Sequence, residues 1–326
     1  MTAPAPAGSV VIDESGTGNQ ITRVLRTPEG HLLWQRGPGR DNPDPYPPLP
    51  DALLPQLAAL DTPALRFVPP VHATPTLHTW RVHGRHSFAA LMTPAQADSD
   101  GHLDQLITTL GKQLRRLHTS PAPPAGDGEL PRTPHSHLRL HRYLTTGRGP
   151  RAATAFHYRL RTRLGPTRFS RLQEATAHLC TAPDPHDAVT LHGWCSLGSL
   201  VVADPPREQP SSGPRPAAHM LTGSEAYTGR RESDLSCLLG ELTEYTAAAR
   251  GAGLDWPLPD RLRTSFLSAY GDGFDPSVLA AGCTVRIATH ALAVAAYHGW
   301  NDQLHGYVPM LAELLDNDGL PASTSG

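Results

Sequence analysis

The hydrophobic pattern of this chain changes period once, near residue 100. Before that point apolar residues come in short runs: Val10-Val11-Ile12, Val24-Leu25 and the stretch from His31 to Arg36. Gly16-Thr17-Gly18-Asn19 and Pro28-Glu29-Gly30 separate them, which predicts a meander of short antiparallel strands. After it, Leu103, Leu106, Ile107, Leu110, Leu114 and Leu117 fall on one helical stripe that Pro121 stops. Strands first and helices afterwards restrict the chain to an α+β design with two lobes and a cleft between them. The expected N-terminal β-rich lobe covers 9–95 and the expected helical lobe 100–318.

Further strands are expected at Arg66–Val68, His78–Val82 and Ser87–Leu91, and a helix at Asp51–Leu60. In the second half helices are expected near 136–145, 153–163, 167–180, 232–250, 259–270, 278–298 and 303–316. Leu200–Ala203 and Ala218–Leu221 read as one small hairpin within them. Residues 1–8 and 319–326 are small or proline-rich and are expected to be disordered, and 204–217 is expected to be a mobile loop.

Composition narrows the chemistry. The 326 residues carry a net charge of −2, so the chain as a whole has no generic attraction for nucleic acid or membrane. No uninterrupted apolar run reaches membrane-spanning length, and the N-terminus shows no signal-peptide pattern, so a cytoplasmic location is expected. Cys180, Cys195, Cys237 and Cys283 show no metal-binding spacing and read as free thiols. His135, His137 and His141 lack a nearby carboxylate and read as solvent-facing, so no metal site is expected. Among 28 basic residues Lys112 is the one lysine. Any mechanism that needs a lysine must use it or do without.

Four motifs in order carry a resemblance. Leu191-His192-Gly193-Trp194-Cys195-Ser196-Leu197-Gly198-Ser199-Leu200 resembles the catalytic loop, L-H-G-D-x-x-x-G-N, of the aminoglycoside phosphotransferase and choline-kinase family. Leu221-Thr222, with Glu225-Ala226, Gly229 and Asp234-Leu235, is similar to that family's metal-binding segment. Leu110–Pro121 is similar to its L-x-x-L-x-x-L-H-x-x-P helix. Gly18-Asn19 and Leu32–Arg36 resemble its glycine-rich loop and lysine strand. The order holds from about residue 9 to 316, which implies a protein-kinase-like fold.

The departures bear on activity. Phosphoryl transfer in such folds rests on positioning and charge neutralisation. Trp194 stands at the position of the loop aspartate, Ser199 at the asparagine, Thr222 at the metal-binding aspartate and Gln35 at the strand lysine, with Arg36 beside it. Lys112 lies on the helix of the other lobe. The matched positions that remain are structural, His192 and Asp234 among them. The resemblance thus implies a pseudokinase with no intact catalytic set and no cofactor, and Trp194 as a ring blocking the acceptor site. The alternative is a working but divergent ATP-dependent phosphotransferase acting on Ser/Thr of a peptide or on a small molecule. Asp204 or Glu225 would then supply the carboxylate, and Gly16, Gly18, Asn19 and Arg36 would meet Mg-ATP.

From Leu130 to Gln173 there is no carboxylate and there are ten arginines, so with the whole chain at −2 the remainder stands at −12. Arg139, Arg142, Arg151, Arg159, Arg163 and Arg171 are the candidate binding residues. Guanidinium groups suit bidentate capture of carboxylates, which points to an acidic peptide or an acidic partner protein. Few aromatics interleave them, which argues against nucleic acid. The helix Asp234–Tyr245 is more loosely similar to kinase-like subunits of lanthipeptide and thioamitide biosynthesis. That similarity implies an acidic leader peptide and a lyase-like partner.

Overall fold

The structure, a computed structural model, describes residues 6–16, 20–39, 49–94, 101–121, 130, 133–204, 215–223 and 225–317. The expectations for Gly18, Asn19, Arg132, residues 1–5, 205–214 and 319–326 lie outside the described residues. The chain divides into two units, one of Met1–Leu130, Trp194–Ala226 and Thr264–Gly271, the other of Pro131–Gly193, Tyr227–Arg263 and Asp272–Gly326. The residues expected to open the helical lobe, up to Leu130 and so including Lys112, group with the N-terminal strands, as do Trp194–Ala226 and Thr264–Gly271.

Alternation builds the first unit. Strands β1 (Val10–Gly16), β2 (Gln20–Arg26) and β3 (Leu32–Pro38) form the expected antiparallel meander. A 3-10 turn at Asp51–Leu53 leads into α1 (Leu54–Ala59), followed by β4 (Leu65–Val68), β5 (His72–Thr74) and β6 (Leu77–Val82). Strand β6 completes the sheet beside β3 and gives the order β1-β2-β3-β6-β5. Trp34 sits opposite Trp80, and their period-2 face joins Val24, Val82, Val201 and Leu221 in one core cluster. After β7 (His86–Ser87), the segment expected as a strand to Leu91 is instead a short helix, α2 (Phe88–Leu91). Ser87 caps it by accepting the Ala90 N–H at 3.3 Å, and the two alanines that follow favour helix. Residues 6–8, expected to be disordered, form a turn closed by the Ser9 N–H on the Pro6 carbonyl at 2.9 Å.

Helix α3 (His102–Thr119) buries the predicted leucine stripe, and its His118 ring shares a 2.9 Å hydrogen bond with the Tyr270 hydroxyl. In the second unit follow α4 (His135–Thr146), α5 (Ala153–Cys180) and β8 (Val189–Leu191). The two helices expected at 153–163 and 167–180 are the two parts of α5, which breaks at Gly165 (φ 72°) before Pro166. Strands β9 (Leu200–Val202) and β10 (Ala218–Leu221) return to the first unit. They pair as the expected hairpin, but they do not stand alone. β10 also runs parallel to β4, and β9 pairs β7, giving the sheet β4-β10-β9-β7. Gly84 faces the Val202 carbonyl so closely that no side chain fits there.

The chain re-enters the second unit with β11 (Tyr227–Gly229), which pairs β8. Then come α6 (Glu232–Gly251), α7 (Leu258–Tyr270), α8 (Pro276–Ala293) with a π-helical turn at Val294–His298, and α9 (Gln303–Asp316). Taken together, Pro276–His298 is long and apolar enough to cross a membrane by length and composition, although polar residues interrupt it. It is instead the core helix of this unit, 78% buried and packed by α4, α5, α6 and α9.

The histidines require one correction. His137 is not solvent-facing: it packs on the backbone of Leu179, and burial lowers its pKa to about 4. Burial likewise lowers His78 to about 4 and His219 to about 3, from an ordinary 6.5. Below pH ~6.5 the unfolded chain therefore binds more protons than the folded one. The contribution to stability is complete above that pH and is lost as pH falls toward about 4, at up to ~1.4 kcal/mol per pH unit for each group. The urea midpoint is expected to fall steadily between about pH 7 and pH 5. A flat midpoint across that range would contradict neutral burial of these rings. Among the described residues no cluster of three or more His, Cys, Asp or Glu could hold a metal. The four cysteines are free.

Candidate functional site

Strand alternation decides which side chain of β3 faces the loop that resembles a kinase catalytic loop. Leu32, Trp34 and Arg36 share one face, and Gln35 lies on the other, where its amide donates to the Thr79 hydroxyl at 3.4 Å. Arg36, not Gln35, therefore reaches the loop. One guanidinium nitrogen donates to Ser199 Oγ at 3.1 Å and the other to the Gly198 carbonyl at 2.7 Å. The guanidinium carbon lies 5.9 Å from the centre of the Trp80 ring, and the Trp80 indole donates to the Thr222 carbonyl at 2.9 Å. Arg36 thus holds Ser199, one position where the resemblance would place a metal ligand, and the Trp80 ring beside it holds the backbone of Thr222, the other.

These positions are closed as well as linked. Ser199 and Thr222 are each 1% exposed. The Ser196 hydroxyl donates to Ser199 Oγ at 3.1 Å, and the Thr222 hydroxyl turns back to the Met220 carbonyl at 3.3 Å. The donor set does not fit Mg²⁺, which takes carboxylate and water oxygens in octahedral geometry. Here it would meet hydroxyls already engaged and a resident guanidinium. Placing a divalent cation about 5 Å from that guanidinium would cost several kcal/mol even at an effective dielectric of ~20. Asp204 does not fill the gap. It follows β9, five residues and about 16 Å of extended chain from Ser199, and it accepts the Arg85 N–H at 3.3 Å.

The second unit holds the other retained part of the loop. Asp234, fully buried in the first turn of α6, accepts the His192 N–H at 2.7 Å on one oxygen and the Gly193 N–H at 2.8 Å on the other. Gly193 sits at φ 87°, a conformation that strains any residue with a Cβ. Asp234 is thus a positioning residue for the loop backbone. Trp194, the next residue, is half-buried.

The arginine segment is not uniformly available. Arg151 adopts a positive φ of 49° and donates to the Tyr297 carbonyl at 2.6 Å. Arg159 lies over the Trp300 ring at 5.5 Å and bonds His305 at 3.1 Å, while Arg168 makes a two-pronged pair with Asp316 at 2.7 Å. Arg139 and Arg171 are half-buried. Arg142, Arg148, Arg161 and Arg163 are the exposed ones without a side-chain partner among the described residues. Sequence reasoning missed the tethering of Arg151 and Arg159, because their partners lie about 146 residues away. It also passed over Arg36 as the lysine's counterpart, although the Leu32-Trp34-Arg36 alternation carried that signal.

No family model matches the chain, and no curated protein does. Solved structures do match. A spectinomycin phosphotransferase, solved with ADP and spectinomycin, is 13% identical over 95% of this chain and 92% of that one, with a TM-score of 0.55. The amicoumacin kinase solved with AMP-PNP, Ca²⁺ and Ami is 10% identical over 97% and 89%, with a TM-score of 0.54. The chain has the aminoglycoside phosphotransferase fold. A glucosamine kinase, 16% identical over 95% of this chain and 80% of that one, agrees at a TM-score of 0.50. At these identities the phosphotransferase-like fold is shared, and the chemistry must be argued from the residues.

Proposed function

We propose that this chain is a pseudokinase: a phosphotransferase-like protein that binds a partner and does not transfer phosphate. The observation that carries the proposal is the Arg36 clasp on Gly198 and Ser199, which sets a fixed monovalent cation among positions stripped of carboxylates. With Trp194, Ser199 and Thr222 in place of the acidic and amide groups, the reaction lacks its charge neutraliser and its orienting base. The competing proposal, a divergent active phosphotransferase, draws on the shared fold of enzymes solved with ADP or AMP-PNP.

Thermal denaturation with millimolar Mg-ATP separates the two. A ligand at 100 times its dissociation constant stabilises a protein by ~2.7 kcal/mol. The expected result is no Mg²⁺-dependent shift in Tm and no release or transfer of γ-phosphate. A shift of several degrees with turnover would establish the active reading.

The partner in this proposal is acidic: a leader-type peptide or an acidic face of a second protein, in the setting of ribosomal peptide modification that the α6 resemblance suggests. Support comes from the exposed Arg142, Arg148, Arg161 and Arg163 on and around α4 and α5. Each exposed pair contributes only about 0–1 kcal/mol, but several together raise the association rate and set orientation. Arg142→Glu, Arg161→Glu and Arg163→Glu combined are expected to weaken capture of an acidic peptide at least tenfold at low salt and to leave the fold intact. Calorimetric titration at low and high salt reads this. Salt-independent or unchanged affinity would show these arginines to be a solvated face.

A further inference from the structure

The second unit contains a cavity of about 650 Å³ between α6, α8 and α9. Its size falls within the range of small-molecule sites. It does not belong to the loop held by Asp234. Glu244, on its wall, is ten residues further along α6, about 15 Å at the helical rise.

Most of the lining is apolar: Tyr245, Tyr307, Met310, Pro309 and the alanines of α6 contribute its walls. The charges on it are mostly negative. Glu241 is paired with Arg286 at 2.8 Å and Glu313 with Arg250 at 3.3 Å, so these two cancel. Asp302 has no side-chain partner among the described residues. Glu244 Oε2 meets His290 Nδ1 at 2.5 Å, an ion pair when that ring is protonated, and the Tyr307 hydroxyl at 3.5 Å, while its Oε1 is buried with no hydrogen-bond partner among the described residues. A buried acceptor left unsatisfied costs about 1–3 kcal/mol, so this carboxylate is not fully neutralised by its protein partners. The two tyrosine faces offer further attraction to a cation. Burial, with the charges of Glu241 and Glu244, pushes the Tyr245 hydroxyl up to about 12.

We propose that this cavity binds a small organic amine, its ammonium group on Glu244 and its apolar body between Tyr245, Tyr307 and Met310. A sugar amine fits poorly, because most polar side chains on these walls are already engaged: Glu241 with Arg286, Glu313 with Arg250 and Gln303 with the Tyr307 hydroxyl. The proposal goes beyond the pseudokinase reading and stands or falls without it, since nothing in the cavity depends on nucleotide.

The probes are tryptamine, its neutral analogue tryptophol, and glucosamine, titrated calorimetrically into the full chain. Tryptamine is expected to bind with one-to-one stoichiometry, at least tenfold tighter than either of the others. Glu244→Gln keeps the shape and removes the charge, and is expected to weaken tryptamine about tenfold, the equivalent of about 1.4 kcal/mol. Gly306→Phe is the control for folding. A Cβ at Gly306 meets nothing within 4 Å and the residue lines the cavity, so the ring should fill the space without strain. That variant should keep its Tm and circular dichroism and lose tryptamine binding. Equal binding of tryptophol, equal binding of glucosamine, undiminished binding to a folded Gly306→Phe, or no binding of tryptamine at millimolar concentration would each overturn the proposal.

Discussion

Asp234→Ala is expected to lose about 3–5 kcal/mol of stability, because it orphans two backbone N–H groups at once, one on buried His192 and one on half-buried Gly193. The carboxylate is fully buried and spends one oxygen on His192 and the other on Gly193. Bonds to a charged acceptor contribute roughly 1.5–3 kcal/mol each. Gly193 at φ 87° has little intrinsic reason to hold its conformation without that anchor. Asp234→Asn should recover less than half of the loss: its carbonyl replaces only one of the two acceptor oxygens, and its amide faces the N–H that the other oxygen held. Urea denaturation followed by circular dichroism measures both. A loss below ~1 kcal/mol for the alanine variant would mean that the loop is held by something else.

The second large effect is expected at Trp80. This ring is 1% exposed, packs in the cluster of Val24, Trp34 and Val82, lies beneath the Arg36 guanidinium and donates to the Thr222 carbonyl. Trp80→Ala should cost about 3–5 kcal/mol through lost contact and the cavity left behind. Trp80→Phe keeps most of the packing and should cost about 1–3 kcal/mol, the penalty of a carbonyl left unpaired. Crossing Trp80→Leu, which removes the aromatic face, with Arg36→Met in a double-mutant cycle should give a coupling of about 0.5–1 kcal/mol. Strict additivity would mean that the guanidinium is held by Gly198 and Ser199 alone.

Much of the fold was legible in the sequence because its elements repeat a period over many residues. The leucines of α3, the alternation of β1 to β3 and the long apolar run of α8 each state their structure several times over. The three-residue strands β5, β8 and β11 repeat nothing, and they exist because a neighbouring strand supplies their hydrogen bonds. Ser87–Leu91 went to helix because a capping serine and two alanines outweighed an apolar run too short to show its period. At the site, the absences were legible. Where the resemblance would place a loop aspartate, an asparagine and a metal-binding aspartate, the sequence itself shows Trp194, Ser199 and Thr222.

The sequence by itself determined the order of strands and helices, the residue types present at each motif and the charge of the segment 130–173. Tertiary structure alone decided what those residues touch. Alternation alone puts Arg36 and Gln35 on opposite faces of β3, and only the tertiary structure brought Ser199, 163 residues on, to the face of Arg36. Arg151 and Arg159 counted as free charges until the chain returned about 146 residues later with Tyr297 and His305 to occupy them. The carboxylate of Glu244 became a buried, half-satisfied group only when α8 and α9 closed over α6. The reason is physical: composition and period are local properties of the chain, whereas a hydrogen bond, an ion pair or a cavity requires two or more segments that loop closure brings together from far apart.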